Sequence, residues 1–215
     1  MENNANLPPT LPRFAHINRY WDPHQKCFTA KILPGQYYIT LHGEMIVTVL
    51  GSCISACIRD PVTGIGGMNH FMLPGIKKGV QAEKDRLDAR EAEIYGIYAM
   101  ESLINEILKN GGRRENLEVK ITGGGRILNK LSDIGKSNID FVRHFLKTDG
   151  LQLAGEDVGG IYPRKVYYCP ATGIVSVKKL IKLNNMTIFN REHDYENEIQ
   201  SKIKQGDMVI FNNES

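Results

Sequence analysis

Residues 45–74 read MIVTVLGSCISACIRDPVTGIGGMNHFMLP. A run rich in Val, Ile and small residues, 46–58, and a second apolar run, 65–73, flank the turn cluster Asp60-Pro61-Val62-Thr63-Gly64, which carries Pro where a type I turn accepts it. The segment therefore predicts a β-hairpin. A turn centred between Pro61 and Val62 sets Cys53 directly opposite His70, and a four-residue loop over 61–64 leaves them diagonal neighbours on one face. The register between those two would send them to opposite faces. Gly51 and Ser52 leave room for Cys53 to stand on a bend just before a strand.

A thiol is the most nucleophilic side chain near neutral pH, and an adjacent imidazole raises its thiolate fraction and shuttles the proton. Cys53 with His70 therefore points to a cysteine-dependent hydrolase or transferase. The backbone N–H of Cys53, or those of Gly51 and Ser52, are candidate donors to an oxyanion. Thr48, on the incoming strand, is the candidate third member that orients the imidazole. Odd-even counting points it away from Cys53 unless the Gly51-Ser52 bend resets the phase.

The remaining candidates are weaker. Cys57 is four residues on and nearer the turn, Cys27 and Cys169 have no basic partner, and all three read as packing residues. His16, His24, His42, His144 and His193 have no spacing that ties them to a cysteine. A metal site built from Cys53, Cys57 and His70 lacks the short paired-ligand spacing that zinc favours, and no metal or organic cofactor is expected. Gly123-Gly124-Gly125 lacks the Lys and Ser/Thr of a phosphate loop, so close backbone approach explains it better.

Composition sets the bounds. At 215 residues and 41% hydrophobic, the chain can bury one sizeable core. Net charge is only +3 and no basic run exceeds two residues, which removes a nucleic-acid footprint. MENNANLPPTLPRF at the start lacks the pattern of a signal peptide, and the longest mainly apolar segment, 45–58, is broken by Gly and Ser. A soluble cytoplasmic protein is expected. The four cysteines include no Cys-x-x-Cys pair and predict no disulfide framework.

Along the chain, residues 1–30 read as an extended N-terminal arm, 31–181 as the catalytic domain and 182–215 as a polar C-terminal tail. Ile94, Ile97, Tyr98, Leu103, Ile104, Ile107 and Leu108 recur at helical spacing until Asn110-Gly111-Gly112. Residues 117–122 predict a strand, 138–146 a second helix, and 151–158, 165–169 and 174–180 three more strands. The order gives an α+β fold: a layered α/β sandwich with mixed or antiparallel sheets and two main helices.

The motifs Thr48-Val49-Leu50-Gly51-Ser52-Cys53, Cys57-Ile58-Arg59-Asp60-Pro61 and Gly66-Gly67-Met68-Asn69-His70-Phe71-Met72-Leu73-Pro74 resemble the chemoreceptor glutamine deamidase family (CheD). Lys120-Ile121-Thr122-Gly123-Gly124-Gly125, Ile134-Gly135 with Asn138-Ile139, and Glu156-Asp157-Val158-Gly159-Gly160 continue the likeness, which covers roughly 31–181. The resemblance implies a catalytic triad on Cys53, His70 and Thr48 and a fold similar to bacterial toxin deamidases. It also implies a substrate that is a glutamine on a methyl-accepting chemoreceptor helix, hydrolysed to glutamate with release of ammonia through a thioester. Contact with a response-regulator phosphatase is implied as well. The alternative is a non-catalytic chemotaxis adaptor that binds such a phosphatase or the receptors.

Overall fold

Gly51, Ser52 and Cys53 divide the apolar run 46–58 between two sheets. The computed structural model, which describes residues 7–75, 82–127, 134–181 and 186–205, has β4 (Met45–Leu50) in one sheet and β5 (Ile54–Arg59) in the other. The expected single long strand is thus two strands with a bend between them. β6 (Gly66–Asn69) pairs with β5 so that Cys57 faces Met68 and Ile58 faces Gly67. This is the register of the four-residue loop, with His70 one diagonal step from Cys53. Asp60 holds the turn: its Oδ1 accepts from Val62 N and Thr63 N, and Gly64 closes it at a φ of 75°.

The first sheet runs β1-β2-β4-β9-β10, with β1 (Asn18–Asp22), β2 (Cys27–Lys31), β9 (Arg164–Cys169) and β10 (Ile174–Lys179). The second runs β3-β6-β5-β7-β8, with β3 (Tyr37–Thr40), β7 (Glu118–Gly123) and β8 (Gln152–Val158). β2 with β4 and β7 with β8 are parallel and the other pairs antiparallel, so both sheets are mixed. α1 (Ala82–Lys109) and α2 (Ile134–Thr148) pack on the second sheet. β5 is covered on both faces and shows no polar alternation, as a strand between two apolar layers must. A single core joins Ala30, Ile46, Leu50 and Val166 of the first sheet to Ile39, Ile58, Met68 and Ile121 of the second. The result is the expected layered α+β architecture.

Two stretches carry more structure than their composition suggested. Within the arm at 1–30, β1 and β2 form a hairpin of the first sheet, and Phe14 is buried edge-on against the rings of Tyr37 and Tyr38. Within the tail at 182–215, α3 (Met186–Gln205) is a third helix that buries Ile188, Glu192, Tyr195 and Ile199. Those positions share one helix face. Among the described residues no helix is long and apolar enough to cross a membrane.

Candidate active site

Thr48 lies on β4, Cys53 leads into β5 and His70 follows β6, so the three meet where the chain passes from the first sheet to the second. Side chains close tightly over the crossing. A Cβ on Gly51 would come within 1.8 Å of Ile127 Cδ1 and 2.8 Å of Glu192 Oε2. The bend at Gly51 and Ser52 changes the strand phase, and Thr48 reaches the imidazole after all.

Thr48 Oγ1 lies 2.7 Å from His70 Nδ1 and 2.9 Å from the Ile32 carbonyl oxygen. A carbonyl only accepts, so the one hydroxyl hydrogen goes to Ile32 and Nδ1–H donates to Thr48 Oγ1. This tautomer leaves Nε2 with its lone pair, and Nε2 has no hydrogen-bond partner among the described residues. Cys53 Sγ, an imidazole nitrogen of His70 and a carboxylate oxygen of Glu192 lie within 4.8 Å of one another. With Nδ1 committed to Thr48, the nitrogen left for Cys53 is Nε2.

Glu192, at the middle of the buried face of α3, receives the amides of the loop. Its Oε1 accepts from Gly51 N at 2.7 Å and Cys53 N at 3.2 Å. Its Oε2 accepts from Ser52 N at 2.8 Å and Ser52 Oγ at 2.7 Å. The three N–H groups singled out as oxyanion donors thus converge on one carboxylate. Cys53, His70 and Glu192 form a group able to hold a metal ion, and Cys57 is not part of it. Both Glu192 oxygens are, however, already engaged by the loop donors.

The loop is held from behind. Gly124 N donates to Cys53 O at 2.7 Å and Gly125 N to Gly51 O at 2.8 Å, so the triple glycine lies backbone to backbone against it. Asn138, fully buried on α2, donates from Nδ2 to Ser52 O at 2.9 Å and accepts from Leu73 N at 2.8 Å. One side chain therefore ties the segment after His70 to the segment before Cys53. Asn69 turns toward α1, donating to Ala99 O at 3.0 Å.

The electrostatics are those of a closed site. Cys53 is 0% exposed and His70 1%. Burial, then the Glu192 carboxylate, holds the Cys53 thiol well above its ordinary range. Burial, then the charge of Arg191, pushes His70 down to about 3. Thiol and imidazole both favour their neutral forms here.

Sequence reasoning passed over Glu192 and Asn138. Asn138 was marked only as part of a motif at the start of the second helix, with no role attached to its side chain. Glu192 had a signal: Ile188, Tyr195 and Ile199 share its helical face, but three apolar residues in a charged helix read as a solvated tail.

The chain is similar to known proteins along almost its whole length. A family model described as CheD chemotactic sensory transduction matches residues 72–179. A relative from Halorhodospira halophila named "Probable chemoreceptor glutamine deamidase CheD" is 50% identical over 207 residues, covering 96% of this chain and 95% of the relative. Relatives of the same name from Hahella chejuensis and Janthinobacterium sp. (strain Marseille) are 50% and 53% identical over 205 residues each, covering 95% and 94% of this chain and 95% and 98% of their own length. With half its sequence shared with such relatives over nearly its full extent, the chain belongs to the CheD family.

Proposed function

We propose that this protein is a protein-glutamine glutaminase that deamidates chemoreceptor glutamines in the cytoplasm, using Cys53 as nucleophile, His70 as general base and acid, and Thr48 to position the imidazole. Catalysis is assigned to residues 31–181, which hold all three. His70 Nε2 takes the thiol proton, and the sulfur attacks the side-chain amide carbon of the glutamine. The amides of Gly51 and Cys53 stabilise the oxygen as it gains charge. The imidazolium protonates the departing ammonia, leaving a thioester. Water, deprotonated by the same ring, hydrolyses that thioester to glutamate and returns the thiol. Each turnover adds one negative charge to the receptor.

The observation that supports this reading best is the unpartnered Nε2 in a ring whose other nitrogen is fixed by Thr48, beside a cysteine whose own loop points three amides at one spot. The names of the relatives support the substrate class. The test is incubation of receptor cytoplasmic fragments with the protein and with Cys53→Ala, following ammonia release and Gln-to-Glu conversion by mass spectrometry. Conversion by the native protein alone is expected, and conversion that survives the substitution removes Cys53 from its role. The burial of Cys53 favours a second reading, an adaptor that holds a response-regulator phosphatase or receptors without chemistry. Binding without release of ammonia would select it.

A further inference from the structure

α3 buries a single stripe, Ile188, Glu192, Tyr195 and Ile199, and exposes Asn190, Arg191, His193, Asp194, Asn197 and Glu198. Three members of the stripe are apolar, as a docked amphipathic helix requires. The fourth is an acid, and a carboxylate 5% exposed is costly unless its oxygens are met by donors. Here they are met by the Gly51, Ser52 and Cys53 amides and the Ser52 hydroxyl. Two of them, the Gly51 and Cys53 amides on Oε1, are the donors that the proposed reaction directs at the substrate's side-chain oxygen. The product of that reaction is a glutamate presented by a helix, and a glutamate presented by a helix occupies the place.

The seat is built on both sides. The Tyr195 ring lies so close over Gly35 that a Cβ there would come within 2.9 Å of it, and its hydroxyl shares a hydrogen bond with that of Tyr95 on α1. Glu196 lies against Gly75, on the segment that follows His70. With α3 seated, the sulfur has no exposure and both reacting groups favour their uncharged forms.

We propose that α3 is a tethered product analogue: it fills the groove in which a substrate helix docks, places Glu192 where the deamidated residue ends, and shuts the site in cis until a receptor helix displaces it. This rests on the function proposed above. It also gives a substrate register. A target helix carries its glutamine with apolar residues four positions before it and three and seven after it, as Ile188, Tyr195 and Ile199 stand about Glu192.

α3 is then a potential substrate of its own site. In Glu192→Gln, Cys53 attacks the introduced side-chain amide at its carbon, the carbon–nitrogen bond breaks, His70 gives its proton to the departing ammonia, and water then opens the thioester to restore glutamate. Expected results are conversion of the introduced glutamine to glutamate by peptide mass mapping, one ammonia per chain, a first-order rate independent of protein concentration, and no conversion when Cys53→Ala is added. Glu192→Ala and, separately, Ile199→Asp should speed both alkylation of Cys53 by iodoacetamide and deamidation of receptor fragments by about tenfold or more, as the open fraction rises. Persistence of the introduced glutamine in a preparation that deamidates receptor fragments would overturn the substrate analogy, and unchanged rates in both Glu192→Ala and Ile199→Asp would overturn the inhibition. Absence of receptor deamidation by the native protein and by Glu192→Ala alike would instead overturn the proposed function.

Discussion

Thr48 has one hydroxyl hydrogen and two partners, and that inequality sets the chemistry of His70. Because the Ile32 carbonyl takes the hydrogen, the hydroxyl oxygen can only accept from Nδ1–H, and Nε2 keeps the lone pair that can accept a proton. Thr48→Val keeps the shape and removes the acceptor, so both tautomers become available to a ring with an unmet N–H. Its kcat should fall by about 10²-fold or more while KM stays near the native value, and Thr48→Ser should recover most of the rate. A fall confined to KM would show that Thr48 shapes binding rather than the imidazole. Cys53, His70 and Thr48 could be named as candidates because a thiol, an imidazole and a hydroxyl each carry recognisable chemistry. Their mutual distances could not, because Thr48 stands on the far side of a bend whose angle depends on Ile127, Glu192 and the glycine loop behind it.

At the scale of elements, the site is a junction. β4 belongs to one sheet and β5 to the other, and the three residues between them are fastened by the glycines after β7, by Asn138 of α2 and by Glu192 of α3. Asn138→Ala leaves the Leu73 N–H and the Ser52 carbonyl without their partner in a buried place. It should lower stability by about 1–3 kcal/mol, read as the midpoint of urea unfolding, and lower kcat as the Cys53 and His70 segments lose their common tie. An unchanged midpoint would mean that water replaces the amide. Strands and helices with a steady period were legible: the helix ending at Asn110-Gly111-Gly112, the strand before the triple glycine and the last three strands all occur close to their expected bounds. The turn at Asp60 was legible too, since the ring of Pro61 fixes its φ and Gly64 can adopt the positive φ that closes the turn. α1 begins at Ala82, earlier than its apolar period, because helical hydrogen bonds continue through polar residues that no period announces. α3 was hidden for a related reason, its core-facing stripe holding a charged residue at its centre.

At the scale of the whole molecule, the closed site couples folding to protons. His70 has an ordinary value of 6.5 and is pushed down to about 3 by burial and then by Arg191, while Thr48, Cys53 and Glu192 also face it. The unfolded chain therefore binds a proton there in a range where the folded chain does not. The contribution is complete above the unfolded value and is lost as pH falls from about 6.5 toward 3. Acidification from pH 7 to 5 should cost about 2 kcal/mol through this one group. Urea midpoints against pH should be flatter in His70→Gln than in the native protein, and parallel curves would show the ring to be hydrated when folded. The same proton uptake accompanies any opening that brings water to the ring. By itself the sequence determined the layered α+β class, the hairpin with its turn, and the residue types able to do thiol chemistry, because backbone preference and side-chain reactivity are local properties. Only the tertiary structure decided that β4 and β5 part into separate sheets, that Thr48 reaches His70, and that a glutamate from the far end of the chain lies on the Cys53 loop. Those outcomes follow from which buried donors and acceptors find one another across long sequence separations, and no local pattern encodes that pairing.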